Sequence, residues 1–152
     1  RYYLMIPEHL KYTNTHEWFF VDTKSITVGL TKFIVEKLNR LLFLDLPQVG
    51  EEILSDICFG EVESLEMLLD ITSPLPGEVI AVNERLFENL DILSNDPYGH
   101  GWLIKFVTNE RHLLDKLLSA QEYAKHINKL QPVPSPKRRK PRSKVVKKRQ
   151  RK

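Results

Sequence analysis

The sequence predicts a mainly β fold, a small sandwich or flattened barrel closed by a C-terminal amphipathic helix. Short apolar-rich segments recur along the chain, bounded by Gly, Pro, Asn and Asp, as strands between turns require. The apolar period lengthens to helical spacing only after residue 110. A length of 152 residues suits one core of ordinary size.

The elements follow in order. WFFVD (18–22) and KSITVGL (24–30) read as two strands joined by a short turn, with Ile26, Val28 and Leu30 alternating. Thr31 is placed to cap a short helix over KFIVEKLN (32–39). LLFLDLP (41–47) is a strand ended by Pro47, and CFGEVESL (58–65) is another. EVESLEMLLDITSPLPGEV (61–79) then reads as a strand, an apolar tip holding one acid, and a return strand entered through Ser73-Pro74 and Pro76-Gly77. GEVIAVN (77–83) is apolar on both faces, which predicts a central strand. NDPYGHG (95–101) is a turn cluster and WLIKFV (102–107) the last strand. Leu113, Leu114, Leu117, Leu118, Ala124, Ile127 and Leu130 predict one apolar stripe on a helix over 110–130.

Charge divides the chain. Residues 132–152 hold eleven of its 23 Lys and Arg and no acid, which leaves twelve bases against 20 acids in the first 131 residues, a net of −8. Pro132, Pro134 and Pro136 separate the two parts. The reading is an acidic domain over 1–131 and a basic, Pro-led, disordered tail over 132–152. Lys137, Arg138, Arg139, Lys140, Arg142, Lys147, Lys148 and Arg149 are its candidate polyanion-binding residues, for nucleic acid or an anionic surface. The tail has no aromatic residues for base stacking and no apolar face for membrane insertion. From Leu41 to Glu84 there are ten Asp or Glu and no Lys or Arg. That run suits a docking face for a basic partner and equally a plain solvated surface.

Several classes are excluded or disfavoured. No apolar run is long enough to span a membrane, and RYYLMIPEHL lacks the pattern of a secretory signal. The single cysteine, Cys58, forbids an internal disulfide and suits a reducing, cytoplasmic setting; Ile57 and Phe59 beside it predict a buried thiol. The five histidines show no zinc-ligand spacing, so no metal is expected. There is no phosphate-binding glycine loop and no nucleophile elbow, and Ser64 has no assignable catalytic partners.

Seven motifs carry a family resemblance: YTxxHEW at 12–18, ITVGLT at 26–31, FLDLPxVG at 43–50, FGxVES at 59–64, SPxxGEVIxVN at 73–83, NDPYGxGWLIK at 95–105 and LLSAQEY at 117–123. In this order and spacing the chain resembles the H protein of the glycine cleavage system over roughly residues 11–128. The resemblance implies a lipoyl-domain-like (hammerhead) sandwich with a β-hairpin at one end. It implies a non-catalytic carrier, whose lipoyl arm moves an aminomethyl group from the decarboxylase to the aminomethyltransferase and is reoxidised by dihydrolipoamide dehydrogenase. In the family the hairpin reads E-S-V-K and the lysine carries lipoate.

The matching residues are Glu63, Ser64, Leu65 and Glu66, so a carboxylate occupies the lysine position. Lipoylation joins an acyl group to an amine, which Glu66 lacks, so no cofactor is expected. Lys32, Lys37 and Lys105 lie in other segments. The resemblance maps Glu17, Asp70 and Phe33 to groove positions that shelter the arm; Glu17 and Asp70 fit a retained pocket or structural hydrogen bonds alike. Met67, Leu68 and Leu69 replace small residues, either as a relaxed tip or as a patch for a partner. The expected partners are glycine cleavage components or lipoyl-handling enzymes.

Overall fold

The computed structural model describes residues 6–130. The elements are β1 (Lys11–Tyr12), β2 (Glu17–Val21), β3 (Ile26–Leu30), α1 (Lys32–Leu38), β4 (Leu41–Asp45), β5 (Glu52–Ile53), β6 (Gly60–Ser64), β7 (Leu68–Ile71) and β8 (Gly77–Val82), followed by α2 (Arg85–Glu88), α3 (Asp91–Asn95), β9 (Ile104–Val107), a 3-10 turn (Arg111–Lys116) and α4 (Ala120–Leu130). Six strands form one antiparallel sheet in the order β1-β2-β3-β9-β8-β5, and β4-β6-β7 form a second. The two sheets make a flattened sandwich that does not close into a barrel.

The main core lies where Phe19, Val28, Val79, Ile104 and Phe106 of the large sheet meet Leu44, Val62 and Ile71 of the small one. Strand β3 is buried along its whole length because both its faces are covered. On the other face a second core gathers Tyr12, Trp18, Phe33, Tyr123 and Ile127, with the Tyr12 and Tyr123 rings stacked 4.8 Å apart. Trp18 explains Gly29. The two residues are cross-strand partners, and a Cβ at 29 would lie 2.2 Å from the indole ring, so glycine alone lets the ring lie against the strand. The helix over 32–39 forms as expected. Thr31 accepts the Ile34 N–H, and Asn39 closes the helix in the left-handed region with φ 66°.

Four expectations are corrected. The return strand of the hairpin is β7, not the segment after Pro76. Leu69 and Ile71 turn inward while Leu68 and Asp70 face out, a period of two that pairs β7 with β6. Ser73 to Pro76 instead carry the chain from the small sheet to the large one. Strand β8 is internal as expected, yet only Val79 is buried and Ile80 is exposed, because no layer covers its outer face there. The stripe over 110–130 is not one helix. The 3-10 turn ends at Lys116, Leu118 pairs with Tyr12, and α4 starts afresh under a reciprocal cap in which Ser119 and Glu122 bond each other's backbone N–H. Leu113 and Leu114 therefore pack on the main core while Tyr123 and Ile127 pack on the second. Cys58 is exposed, its thiol donating to the Gly60 carbonyl, because residues 54–59 form an irregular loop outside both sheets.

The domain boundary at 131 and the tail candidates Lys137, Arg138, Arg139, Lys140, Arg142, Lys147, Lys148 and Arg149 lie outside the described residues.

Candidate functional site

The hairpin β6-β7 carries Glu63, Ser64, Glu66 and Asp70. Its last cross-strand pair is Glu63 with Leu68, so the tip is short: Ser64 N–H donates to the Met67 carbonyl, and Leu65 to Met67 make the turn. Ser64 is buried and builds this turn from within. Its hydroxyl accepts the N–H groups of Glu66 and Met67, each at 3.1 Å, and donates to the Met67 carbonyl. The Leu65 N–H is held by the Arg40 carbonyl at 3.0 Å, tying the tip to the start of β4. Residue 66 is therefore fixed at its backbone and free at its side chain. The Glu66 carboxylate stands in solvent without an ion pair among the described residues.

Glu17 works at the base of the hairpin. It is fully buried on β2, and its carboxylate accepts from the Thr13 hydroxyl, from the Thr15 hydroxyl at 2.6 Å and from the Thr72 N–H at 3.0 Å. Thr72 follows β7 directly, so this one side chain fastens the end of the hairpin to the large sheet. Burial pushes the Glu17 carboxyl above the ordinary range, and the three donors oppose that rise. Asp70 is exposed on the outer face, opposite Glu61. Phe33 is buried in the second core, with the His16 ring 5.0 Å away and the Lys37 ammonium 5.2 Å from its centroid. The structure thus unites Glu63, Ser64 and Glu66 in one turn, links Glu17 to that hairpin through backbone, and places Phe33 among the aromatic residues under α4.

Sequence reasoning missed His16. Its backbone is left-handed, φ 78°, and its Nδ1 lies 2.7 Å from the Tyr123 hydroxyl, which lies 2.7 Å from the Thr31 hydroxyl. Burial, then the neighbouring His126 and Lys37, push His16 down to about 4, so it is neutral near pH 7. This chain of bonds joins the entrance of β2, the cap of α1 and the helix α4. A histidine directly before Glu17-Trp18 was the available signal, without a spacing rule to flag it.

What the site can do chemically is limited. Among the described residues no group of three or more His, Cys, Asp or Glu is placed to hold a metal ion. No helix among them is long and apolar enough to cross a membrane.

Comparison with known proteins agrees with this geometry. Residues 10–130 match the family model described as glycine cleavage H-protein. The glycine cleavage system H protein of Carboxydothermus hydrogenoformans is 40% identical over 121 residues, 80% of this chain and 93% of that protein. That of Rippkaea orientalis is 43% identical over 121 residues, 79% of this chain and 92% of that protein. A crystal structure of a glycine cleavage system H protein from Mycobacterium marinum superposes with a TM-score of 0.72 at 33% identity, covering 81% of this chain and 99% of that one. The chain belongs to the glycine cleavage H-protein family, whose members are non-catalytic lipoyl carriers within a multienzyme system.

Proposed function

We propose that this chain is a member of the glycine cleavage H-protein family that binds partners without carrying a lipoyl arm at its hairpin. The observation that carries the reading is Glu66 at the tip, in the place where the family's E-S-V-K motif puts its lysine. The turn that presents residue 66 is intact, held by Ser64 and by Arg40, so the hairpin still displays a side chain to solvent. What it displays is a carboxylate, which has no nitrogen to attack an activated acyl group. No lysine occurs between residues 41 and 84, so a shift in register supplies no substitute. Glu17 serves in this reading as the fastening of the hairpin base, and Phe33 as a wall of the second core. The partners are glycine cleavage components or lipoyl-handling enzymes, met in the cytoplasm, with the chain acting as a regulator or decoy.

The test is intact mass after incubation with a lipoyl ligase, lipoate and ATP. An unchanged mass is expected; a gain of one lipoyl group on any lysine overturns the reading.

A second reading rests on the eleven Lys and Arg of residues 132–152. Here the domain is a scaffold for a basic arm that binds nucleic acid or another polyanion, with little sequence preference and a steep salt dependence. Binding to generic RNA that survives removal of residues 132–152 counts against it.

A further inference from the structure

The outer face of the small sheet combines two features that a merely solvated face avoids. Its upper row crosses the sheet as Phe43, Glu63 and Leu68, with Phe43 55% and Leu68 58% exposed. Leu42, in the β-bulge beside Phe43, is 51% exposed, and Leu65 at the tip is 62% exposed, with Met67 next to them. The next row is Asp45, Glu61 and Asp70, three carboxylates directly opposite one another on adjacent strands. Like charges in that position repel at the spacing of neighbouring strands. None of the three forms an ion pair among the described residues, and the surrounding stretch from Leu41 to Glu84 holds no Lys or Arg to neutralise them. An apolar tip capped by Glu66 and backed by an acidic row costs the folded chain on both counts.

We infer that this face docks a protein surface presenting an apolar recess rimmed by Lys and Arg. Phe43 and Leu68, with Leu42 and Leu65, enter the recess, and Glu63, the Asp45-Glu61-Asp70 row and Glu66 meet the basic rim. The acidic row repels phosphates, which sets aside nucleic acid and anionic lipid as occupants of this face. The inference rests on the reading of the hairpin as an unmodified binding element, since a lipoyl arm at residue 66 would make docking serve the arm.

The test is NMR on the isotope-labelled full chain, with two probes at low salt. One is an amphipathic helical peptide of Leu and Lys only; the other has equal charge and length with its Leu replaced by Ser. The expected result is amide shifts confined to residues 42–45 and 61–70 with the first peptide only. Affinity should fall about tenfold or more in the double variant Phe43→Ser, Leu68→Ser. In the variant Asp45→Asn, Asp70→Asn it should weaken and lose part of its salt dependence, since Glu61, Glu63 and Glu66 remain. All four positions are exposed, so unchanged shifts elsewhere report an intact fold in each variant. Equal binding of both peptides, shifts outside the face, or an unchanged affinity in the Phe43, Leu68 variant overturns the proposal. So do shifts at residues 42–45 and 61–70 when salt alone is raised without peptide, since the chain's own basic segment would then fill the face. Intact mass of the same sample separates the two readings. A lipoyl adduct sinks the unmodified-hairpin reading, whereas unmodified protein without peptide shifts sinks only the docking surface.

Discussion

The two sheets of this molecule spend their residues differently. The large sheet is covered on both faces along β3, with Phe19, Phe106 and aliphatic residues on one side and stacked aromatic rings on the other. The small sheet is covered on one face only, and its other face is apolar at one end and acidic at the other. The inner face of the small sheet shares the main core with the large one. The half-buried sheet is free to vary, because a change on its outer face leaves the core intact. Residue 66, exposed at the tip of that sheet, can change without disturbing the core.

The comparison breaks most sharply at Trp18. Its indole fills the space over Gly29 and donates to the Pro97 carbonyl at 3.0 Å. Trp18→Ala should cost about 3–5 kcal/mol, by cavity formation and the orphaned carbonyl. Urea unfolding measures this, and a loss under about 1 kcal/mol would show that the second core contributes little to stability.

Glu17 comes next, because it joins the two regions. Glu17→Ala strips the partner from two threonine hydroxyls and from the Thr72 N–H at once. The expected cost is about 2–3 kcal/mol. Hydrogen exchange of the β7 amides should rise more than that of β3, since the lost tie is to the hairpin base. Equal acceleration in both strands would mean that Glu17 supports the fold as a whole and not this junction.

His16 gives a pH test of the large-sheet side. Its folded value of about 4 lies below the ordinary 6.5, so the unfolded chain binds the extra proton first. Stability is full above about pH 6.5 and falls as pH drops toward 4, by at most about 3 kcal/mol before solvent screening reduces it. Glu17, raised by burial, acts in the opposite sense, gaining stability as it protonates. The two are separated by His16→Asn, which tolerates the left-handed backbone and does not titrate. The difference in stability between wild type and variant should shrink between pH 6.5 and 4; a constant difference removes His16 as the titrating group.

These regions were not equally legible in the sequence. Four of the six strands of the large sheet, β2, β3, β8 and β9, are legible, because WFFVD, ITVGL, GEVIAVN and WLIKFV lie between clear turns and Thr31 states the cap of α1. The two-residue strands β1 and β5 are too short to show a period. The return strand of the hairpin, β7, is not legible in the sequence. LEMLLD contains an acid at its apex and three apolar residues in a row, so the alternation of β7 is legible only once Ser64 is known to close the turn. The break in the C-terminal segment was written as Ser119-Ala-Gln-Glu122, a capping pattern, but a leucine stripe runs straight across it. The apolar neighbours of Cys58 predict a buried thiol, but in the loop outside both sheets only Phe59 packs on the core, while Ile57 and Cys58 stand exposed. The identity of residue 66 was plain from the sequence, while its presentation by Ser64 and Arg40 needed coordinates.

The smallest expected effect on stability falls on the most informative residue for function. Glu66→Lys alters an exposed side chain on a turn whose hydrogen bonds are all to backbone and to Ser64, so stability should change by no more than about 0.5 kcal/mol. Its effect on chemistry should be qualitative. The new amine stands on the same short turn, with Glu63 and Asp70 still present on the strands that lead into and out of it. Incubated with a lipoyl ligase, lipoate and ATP, the variant should gain the mass of one lipoyl group at residue 66, and wild type none. Gain by the variant alone means that a single side chain separates this chain from a carrier. Gain by neither means that the apolar residues after the tip, Met67, Leu68 and Leu69, also limit what the hairpin can present to an enzyme; placing small residues there one at a time would then locate the barrier.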